Sequence, residues 1–122
     1  MMDSFKPGGW PTLVPRLFTT DVAGLVDFLK VAFDAEGEAA AGRPSELRIG
    51  DSLLLISDGG GVRSIAPGFF YLYVQDADET YRRALEAGAE TIEAPANMPY
   101  GDRRAMVCDR WGNRWQIATF RG

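Results

Sequence analysis

The stretch MPYGDRRAMVCDRWGNRWQIATF, residues 98–120, decides the fold. Two strand-like runs, 103–108 and 114–120, flank the sequence Asp-Arg-Trp-Gly-Asn, in which Gly112 and Asn113 tolerate the positive φ angles of a chain reversal. Residues of the second run alternate between an apolar set and a mixed set, as on the two faces of a half-buried strand. The stretch therefore predicts a hairpin with one face on a core and the other facing water or a ligand.

The same pattern occurs earlier in the chain, which indicates an internal repeat. Residues 50–55, GDSLLL, resemble residues 112–117, GNRWQI, because each begins with a turn glycine, continues with Asp or Asn and enters an alternating strand. A strand that ends at an aspartate opening a helix also occurs twice, at 16–21 and at 71–76. The spacing is too long for a solenoid repeat and indicates a duplicated module.

Capping residues and turn residues place the remaining elements. Asp21 is a good helix N-cap before apolar residues at helical spacing, and Asp76 is followed by Glu79 in a capping-box pattern that Gly88 ends. The first strand is predicted over 13–19, a weak strand over 36–41, a hairpin over 46–57, a flexible connection over 58–68, and further strands over 69–74 and 90–94. The predicted fold class is α+β, with two βαβββ modules in one domain (about 12–58 and 68–120) after an extended N-terminal arm, 1–11.

Composition limits the classes of function. The formal net charge of −4 argues against a nucleic-acid partner or an anionic membrane surface. The chain has no histidine, which excludes Ser-His-Asp and Cys-His catalysis. The single cysteine, Cys108, excludes an intrachain disulfide and indicates a reducing compartment. Without a leader-like or membrane-length apolar run, we expect a cytoplasmic protein.

The chain resembles the glyoxalase/bleomycin-resistance/extradiol-dioxygenase superfamily, also called the vicinal oxygen chelate superfamily. The resemblance rests on the order and spacing of four short segments, 76–78, 86–89, 99–103 and 109–113, the last of which has Arg110 where the family usually has proline. It implies two βαβββ modules whose sheets curl around a cleft, usually completed in a homodimer.

The resemblance also implies four positions at which metal-dependent members of the family hold a metal ion. Here these positions are predicted to be Val14, Leu54, Phe69 and Gln116, of which three are apolar and one is a neutral amide. Such a set does not suit a divalent ion. The sequence therefore predicts a protein with no metal and no cofactor, and argues against glyoxalase and dioxygenase chemistry.

If these positions face the cleft, the strand period assigns its lining. The opposite face is almost uniformly apolar and is predicted to pack on the helices. The lining suits a planar aromatic ligand, although the same side chains could instead fill a dimer interface. The predicted ligand-binding residues are Arg16, Phe18, Leu54, Ile56, Phe69, Tyr71, Tyr73, Tyr100, Trp111, Arg114 and Gln116.

Two classes of function remain open. The first is a non-catalytic binding protein that sequesters a planar aromatic or peptide antibiotic, as in drug resistance or self-resistance. The second is a metal-independent lyase or isomerase, for which the acid–base candidates are Glu46, Asp51, Asp102 and Asp109. Cys108 is better explained as a small buried hydrophobe than as a nucleophile. In either case we expect a homodimer, in which the aromatic arm could cross to the partner.

Overall fold

The computed structural model describes residues 5–60, 63 and 65–122. Its first module contains β1 (Arg16–Thr19), α1 (Val22–Phe33), β2 (Ser45–Ile49) and β3 (Ser52–Asp58). Its second module contains β4 (Phe69–Tyr73), α2 (Ala77–Glu86), β5 (Glu90–Asn97), β6 (Asp102–Cys108) and β7 (Arg114–Phe120).

Each helix begins where its capping residue predicts. The carboxylate of Asp21 accepts a hydrogen bond from the Gly24 N–H at 3.1 Å, and that of Asp76 accepts one from the Glu79 N–H at 3.2 Å. Gly88, with φ of +109°, follows the end of α2 and allows the chain to leave the helix.

The strands form two sheets, with orders β1-β3-β2 and β4-β7-β6-β5. In each module the first strand runs parallel to the last, and the remaining neighbours are antiparallel. The predicted fold class, a pair of βαβββ modules in an α+β protein, is therefore confirmed.

The modules differ at the edge strand that follows each helix. In the second module this strand is β5, whereas in the first it is reduced to a bridge in which Glu36 and Arg48 exchange hydrogen bonds of 2.8 and 2.9 Å. A Cβ on Gly37 would lie 2.3 Å from the Glu46 carbonyl oxygen, so the backbone approaches too closely here for any other residue. The predicted weak strand over 36–41 is thus a single bridge.

Several predicted boundaries also move. The first strand begins at Arg16 rather than residue 13, and β5 continues through Pro95 to Asn97, beyond the predicted end at residue 94. β5 is an edge strand with irregular register, and such a strand accommodates a proline without losing a ladder hydrogen bond. Part of the predicted 58–68 connection and of the 1–11 arm, residues 61, 62, 64 and 1–4, lies outside the described residues.

One hydrophobic core joins the modules. The helices pack on each other and on one face of each sheet. Trp115 of β7 stacks on Phe70 with ring centroids 4.5 Å apart and lies 5.0 Å from the Phe33 ring of α1. The face of each sheet that the helices do not cover is called its outer face. The outer face of the second module carries most of the aromatic residues that were predicted to bind a ligand.

The register of β3 corrects the predicted lining. Arg16 pairs with Leu55, which places Leu54 and Ile56 on the other face of the strand, where both are buried in the core. The comparison of residues 50–55 with residues 112–117 is therefore wrong by one residue. A shift of one residue exchanges the two faces of a strand. Leu53 and Leu55, predicted to face the helices, lie instead on the Arg16 face.

No helix in the described part of the chain is long and apolar enough to cross a membrane.

Candidate functional site

The outer face of the four-stranded sheet carries a group of exposed aromatic side chains. Tyr71 and Tyr73 project from β4, and their exposed fractions are 41% and 60%. Tyr100, 60% exposed, lies in the turn between β5 and β6, where Met98 N–H donates to the Asp102 carbonyl at 2.7 Å. These three tyrosines with Asp102 are called the tyrosine cluster below.

A buried carboxylate organises the tyrosine cluster. Asp102 begins β6 and is only 3% exposed. Its Oδ2 atom accepts hydrogen bonds from the Tyr71 hydroxyl at 2.6 Å and the Tyr73 hydroxyl at 2.8 Å. The two tyrosine rings stand 5.4 Å apart, centroid to centroid. The carboxylate therefore holds two exposed rings in fixed positions.

The hydrogen-bonded network continues through Tyr100 to a guanidinium. Arg104 Nη1 donates to the Tyr100 hydroxyl at 3.1 Å, and the Tyr100 and Tyr71 hydroxyl oxygens are 3.2 Å apart. Arg104 also pairs with Glu93 at 2.8 Å. Its Nε atom is buried without a hydrogen-bond partner among the described residues. A single network thus connects Arg104 to Asp102 through the phenols.

This environment raises the pKa of both β4 tyrosines above the usual value of 10. For Tyr71 the larger cause is burial of the phenol, followed by its hydrogen bonds to Asp102 and Tyr100. For Tyr73 the hydrogen bond to Asp102 contributes most to the raised pKa. In both cases the neighbouring carboxylate disfavours a second negative charge, so the phenols keep their protons at neutral pH.

Six of the predicted ligand-binding residues lie on or beside this face. Opposite residues on paired strands share a face, so Phe69 lies with Arg114, and Tyr71 with Gln116. Tyr73 and Tyr100 complete the set that the structure brings together.

The other predicted residues lie elsewhere. Arg16 and Phe18 are on the outer face of the three-stranded sheet, where the guanidinium lies 5.0 Å from the Phe18 ring and Nε donates to Ser57 Oγ at 3.1 Å. Leu54 and Ile56 are core residues. The placement of Trp111 with the tyrosines is wrong, because it packs against Phe28 of α1 and its indole N–H donates to Asp21 at 3.2 Å.

Sequence reasoning underestimated the role of β6. From the sequence, Asp102 is only an acid–base candidate, and Arg104 is not among the predicted site residues. Starting the predicted strand at residue 102 instead of 103 would have shown Asp102, Arg104 and Met106 alternating onto one face. That period is the signal by which the polar side of the site could have been found.

The remaining acid–base candidates have structural or solvent-exposed positions. Asp109 is buried in the β6–β7 turn, where its carboxylate accepts four hydrogen bonds from the turn and β7. Glu46 and Asp51 are exposed on and beside β2. The Cys108 thiol is half-buried and donates to the Asp109 carbonyl at 3.5 Å.

The family's metal positions are chemically unsuited to a metal. Because Arg16 pairs with Leu55 as Tyr71 pairs with Gln116, the position predicted at Leu54 belongs instead to Leu55. Placing Leu55 instead of Leu54 in the predicted set does not change its chemistry, since the set still has three apolar side chains and one neutral amide. These donors do not fit a divalent cation.

Comparisons with known proteins agree with this architecture. A family model described as the Glyoxalase/Bleomycin resistance protein/Dioxygenase superfamily matches residues 14–117. An uncharacterised protein of Mycobacterium bovis is 31% identical, over 88% of this chain and 82% of its own length.

Solved structures show the same fold. TioX from a Micromonospora species is 22% identical with a TM-score of 0.76, over 90% of this chain and 98% of its own. A lactoylglutathione lyase from Agrobacterium tumefaciens is 20% identical with a TM-score of 0.68, over 89% and 94% of the two chains. With the family model covering most of the sequence, this chain belongs to the glyoxalase/bleomycin resistance protein/dioxygenase superfamily.

Proposed function

We propose that the protein is a metal-independent binding protein of the bleomycin-resistance-like branch, which sequesters a planar aromatic or peptide antibiotic on its tyrosine cluster. The observation that carries the proposal is the pair of exposed rings, Tyr71 and Tyr73, held in place by the buried Asp102. The apolar set at the family's metal positions favours binding over metal-assisted chemistry.

The geometry favours stacking on a prepared surface. Because the hydroxyls of Tyr71 and Tyr73 are anchored, their rings lose little rotamer entropy when a ligand binds. Each stacked aromatic pair contributes about 0.5–1.5 kcal/mol beyond the burial of its surface. Gln116, opposite Tyr71 in the neighbouring strand, adds an amide that can orient a polar group of the ligand.

The test begins with a thermal-shift screen of planar aromatic antibiotics, followed by calorimetric titration of each hit. Tyr71→Ala should weaken binding by about tenfold, which corresponds to ~1.4 kcal/mol, while the protein stays folded. Tyr81→Phe is the matched control, because Tyr81 is on α2 and its hydroxyl pairs with Thr91. If Tyr71→Ala binds as wild type but melts earlier, Tyr71 is structural and the proposal fails.

We also propose that the functional unit is a homodimer. The outer face of the second module exposes Phe69 and Phe120, and Phe5 on the arm and Leu13 before β1 are also exposed. Large apolar side chains gathered in this way are typical of surfaces that a partner covers. A second copy could cover part of this surface while leaving the tyrosine cluster open to a ligand.

A second candidate is a metal-independent lyase or isomerase. It is favoured by Asp102, a buried carboxylate that shares hydrogen bonds with two phenols, since such a group can take up or return a proton through Tyr71. The candidate predicts that a bound carbonyl compound is converted and that Asp102→Asn abolishes conversion without abolishing binding. Recovery of the unchanged ligand after prolonged incubation would exclude the lyase or isomerase and leave the binding function as the only candidate of the two.

A further inference from the structure

The directions of the hydrogen bonds in the tyrosine cluster can be assigned one by one. Each phenol has a single proton. Tyr71 and Tyr73 both spend theirs on the Asp102 carboxylate, which can only accept. In the 3.2 Å contact between the Tyr71 and Tyr100 hydroxyls, Tyr100 is therefore the donor.

The hydrogen-bonded network ends at Arg104, which fixes the direction of the remaining hydrogen bond, between Arg104 and Tyr100. A guanidinium only donates, so Tyr100 accepts from Arg104 and passes its own proton toward Tyr71. All three phenol protons are thus used inside the protein. What the three hydroxyls offer to a ligand is lone pairs alone.

The tyrosine cluster carries a negative charge, which favours the same kind of ligand as the lone pairs of its hydroxyls. Arg104 is neutralised by Glu93 at 2.8 Å, which leaves the carboxylate of Asp102 without a cationic partner among the described ion pairs. The rings themselves present the negative faces of their π systems. Another cation on this face is the exposed Arg114, but its cross-strand partner is Phe69 rather than Tyr71 or Tyr73.

We propose that the tyrosine cluster selects planar aromatic ligands that carry a positive charge or N–H donors, and disfavours anionic ones. This inference rests on the proposed binding function and names the class of ligand. Arg16 does not steer an anionic ligand to this cluster, because it lies on the other sheet. A protonated nitrogen would fill the free lone pairs of Tyr71 and Tyr73 while lying near the Asp102 carboxylate.

Three probes that share the bicyclic quinoline ring test the inference: 4-aminoquinoline, which is a cation with N–H donors at neutral pH, neutral quinoline, and the anion quinoline-4-carboxylate. Each is titrated calorimetrically into the full chain at neutral pH and low salt. The cation should bind tightest, with a dissociation constant about tenfold or more below that of the anion. Added salt should narrow the difference, since salt screens a charge interaction near the surface.

Variants separate charge from shape. Asp102→Asn keeps the side-chain volume and removes the charge, so the cation should lose its advantage over quinoline. Tyr73→Phe, which leaves the carboxylate in place, should preserve the order of the three probes and serves as the second test if Asp102→Asn does not fold. Tyr81→Phe, on α2, should bind all three as wild type.

The outcomes distinguish the two proposals. Equal binding of the three probes, or tightest binding of the anion, would overturn the inference and leave the binding function standing. Loss of the probe order in Tyr73→Phe would also contradict it, because the charge is still present. If no probe binds at millimolar concentration, the aromatic site itself is refuted and both proposals fall.

Discussion

Replacing Asp109 with alanine should lower the free energy of unfolding far more than replacing Asp51, the exposed aspartate in the corresponding turn of the first module. Oδ1 of this carboxylate accepts the backbone N–H groups of Trp111 at 3.0 Å and Asn113 at 2.9 Å. Oδ2 accepts the Asn113 side-chain amide at 3.0 Å and the Trp115 indole N–H at 2.9 Å. One side chain, itself 4% exposed, thus ties the turn to the central aromatic residue of the core.

The magnitude follows from the donors that the substitution leaves behind. The side-chain donors of Asn113 and Trp115 are buried, and a buried donor without a partner costs about 1–3 kcal/mol. The two together predict a loss of about 2–6 kcal/mol in the free energy of unfolding. Domains of this size are stable by only about 5–15 kcal/mol, so the loss is a large fraction of the total.

Urea unfolding followed by tryptophan fluorescence measures this loss directly. Asp51→Ala is the matched control, because Asp51 occupies the corresponding turn of the first module and is exposed, and its carboxylate accepts a long 3.5 Å hydrogen bond from the neighbouring Ser52 hydroxyl. The control should change stability by no more than about 0.5 kcal/mol. A loss below about 1 kcal/mol for Asp109→Ala would refute the assignment of Asp109 as the anchor of the turn.

Three further predictions test other parts of the structure. Leu54→Ala should lower the free energy of unfolding by about 2–5 kcal/mol and Leu55→Ala by clearly less in denaturant titrations, because only Leu54 is fully packed in the core; the reverse order would contradict the β3 register. The free energy of unfolding should fall as pH rises above about 10, because the tyrosines of the unfolded chain lose their protons there while Tyr71 and Tyr73 of the folded protein keep theirs through raised pKa values. In urea titrations at alkaline pH, this fall in stability should be smaller for Asp102→Asn than for the wild type. Light scattering at micromolar concentration should give the mass of two 13.4 kDa chains, whereas a single-chain mass would rule out the proposed homodimer.

Local chemistry made the helices and the last hairpin predictable. Asp21 and Asp76 predict the starts of their helices because a capping side chain acts within three residues of its own position. The turn before β7 was found from Gly112 and Asn113, whose conformational preferences are also local. The extent of β5 could not be found this way, because Pro95 is tolerated only at a sheet edge and edges are set by which strands pair.

By itself the sequence determined the duplicated module, the two capped helices and the alternation that separates a core face from an outer face. Only the tertiary structure decided which residues share a face between strands, since pairing joins positions far apart in the chain and a slip of one residue moved Leu54 and Ile56 into the core. The same holds for the site. Asp102 is about thirty residues from the tyrosines it anchors, and a contact of that kind exists only after β6, β7 and β4 have paired.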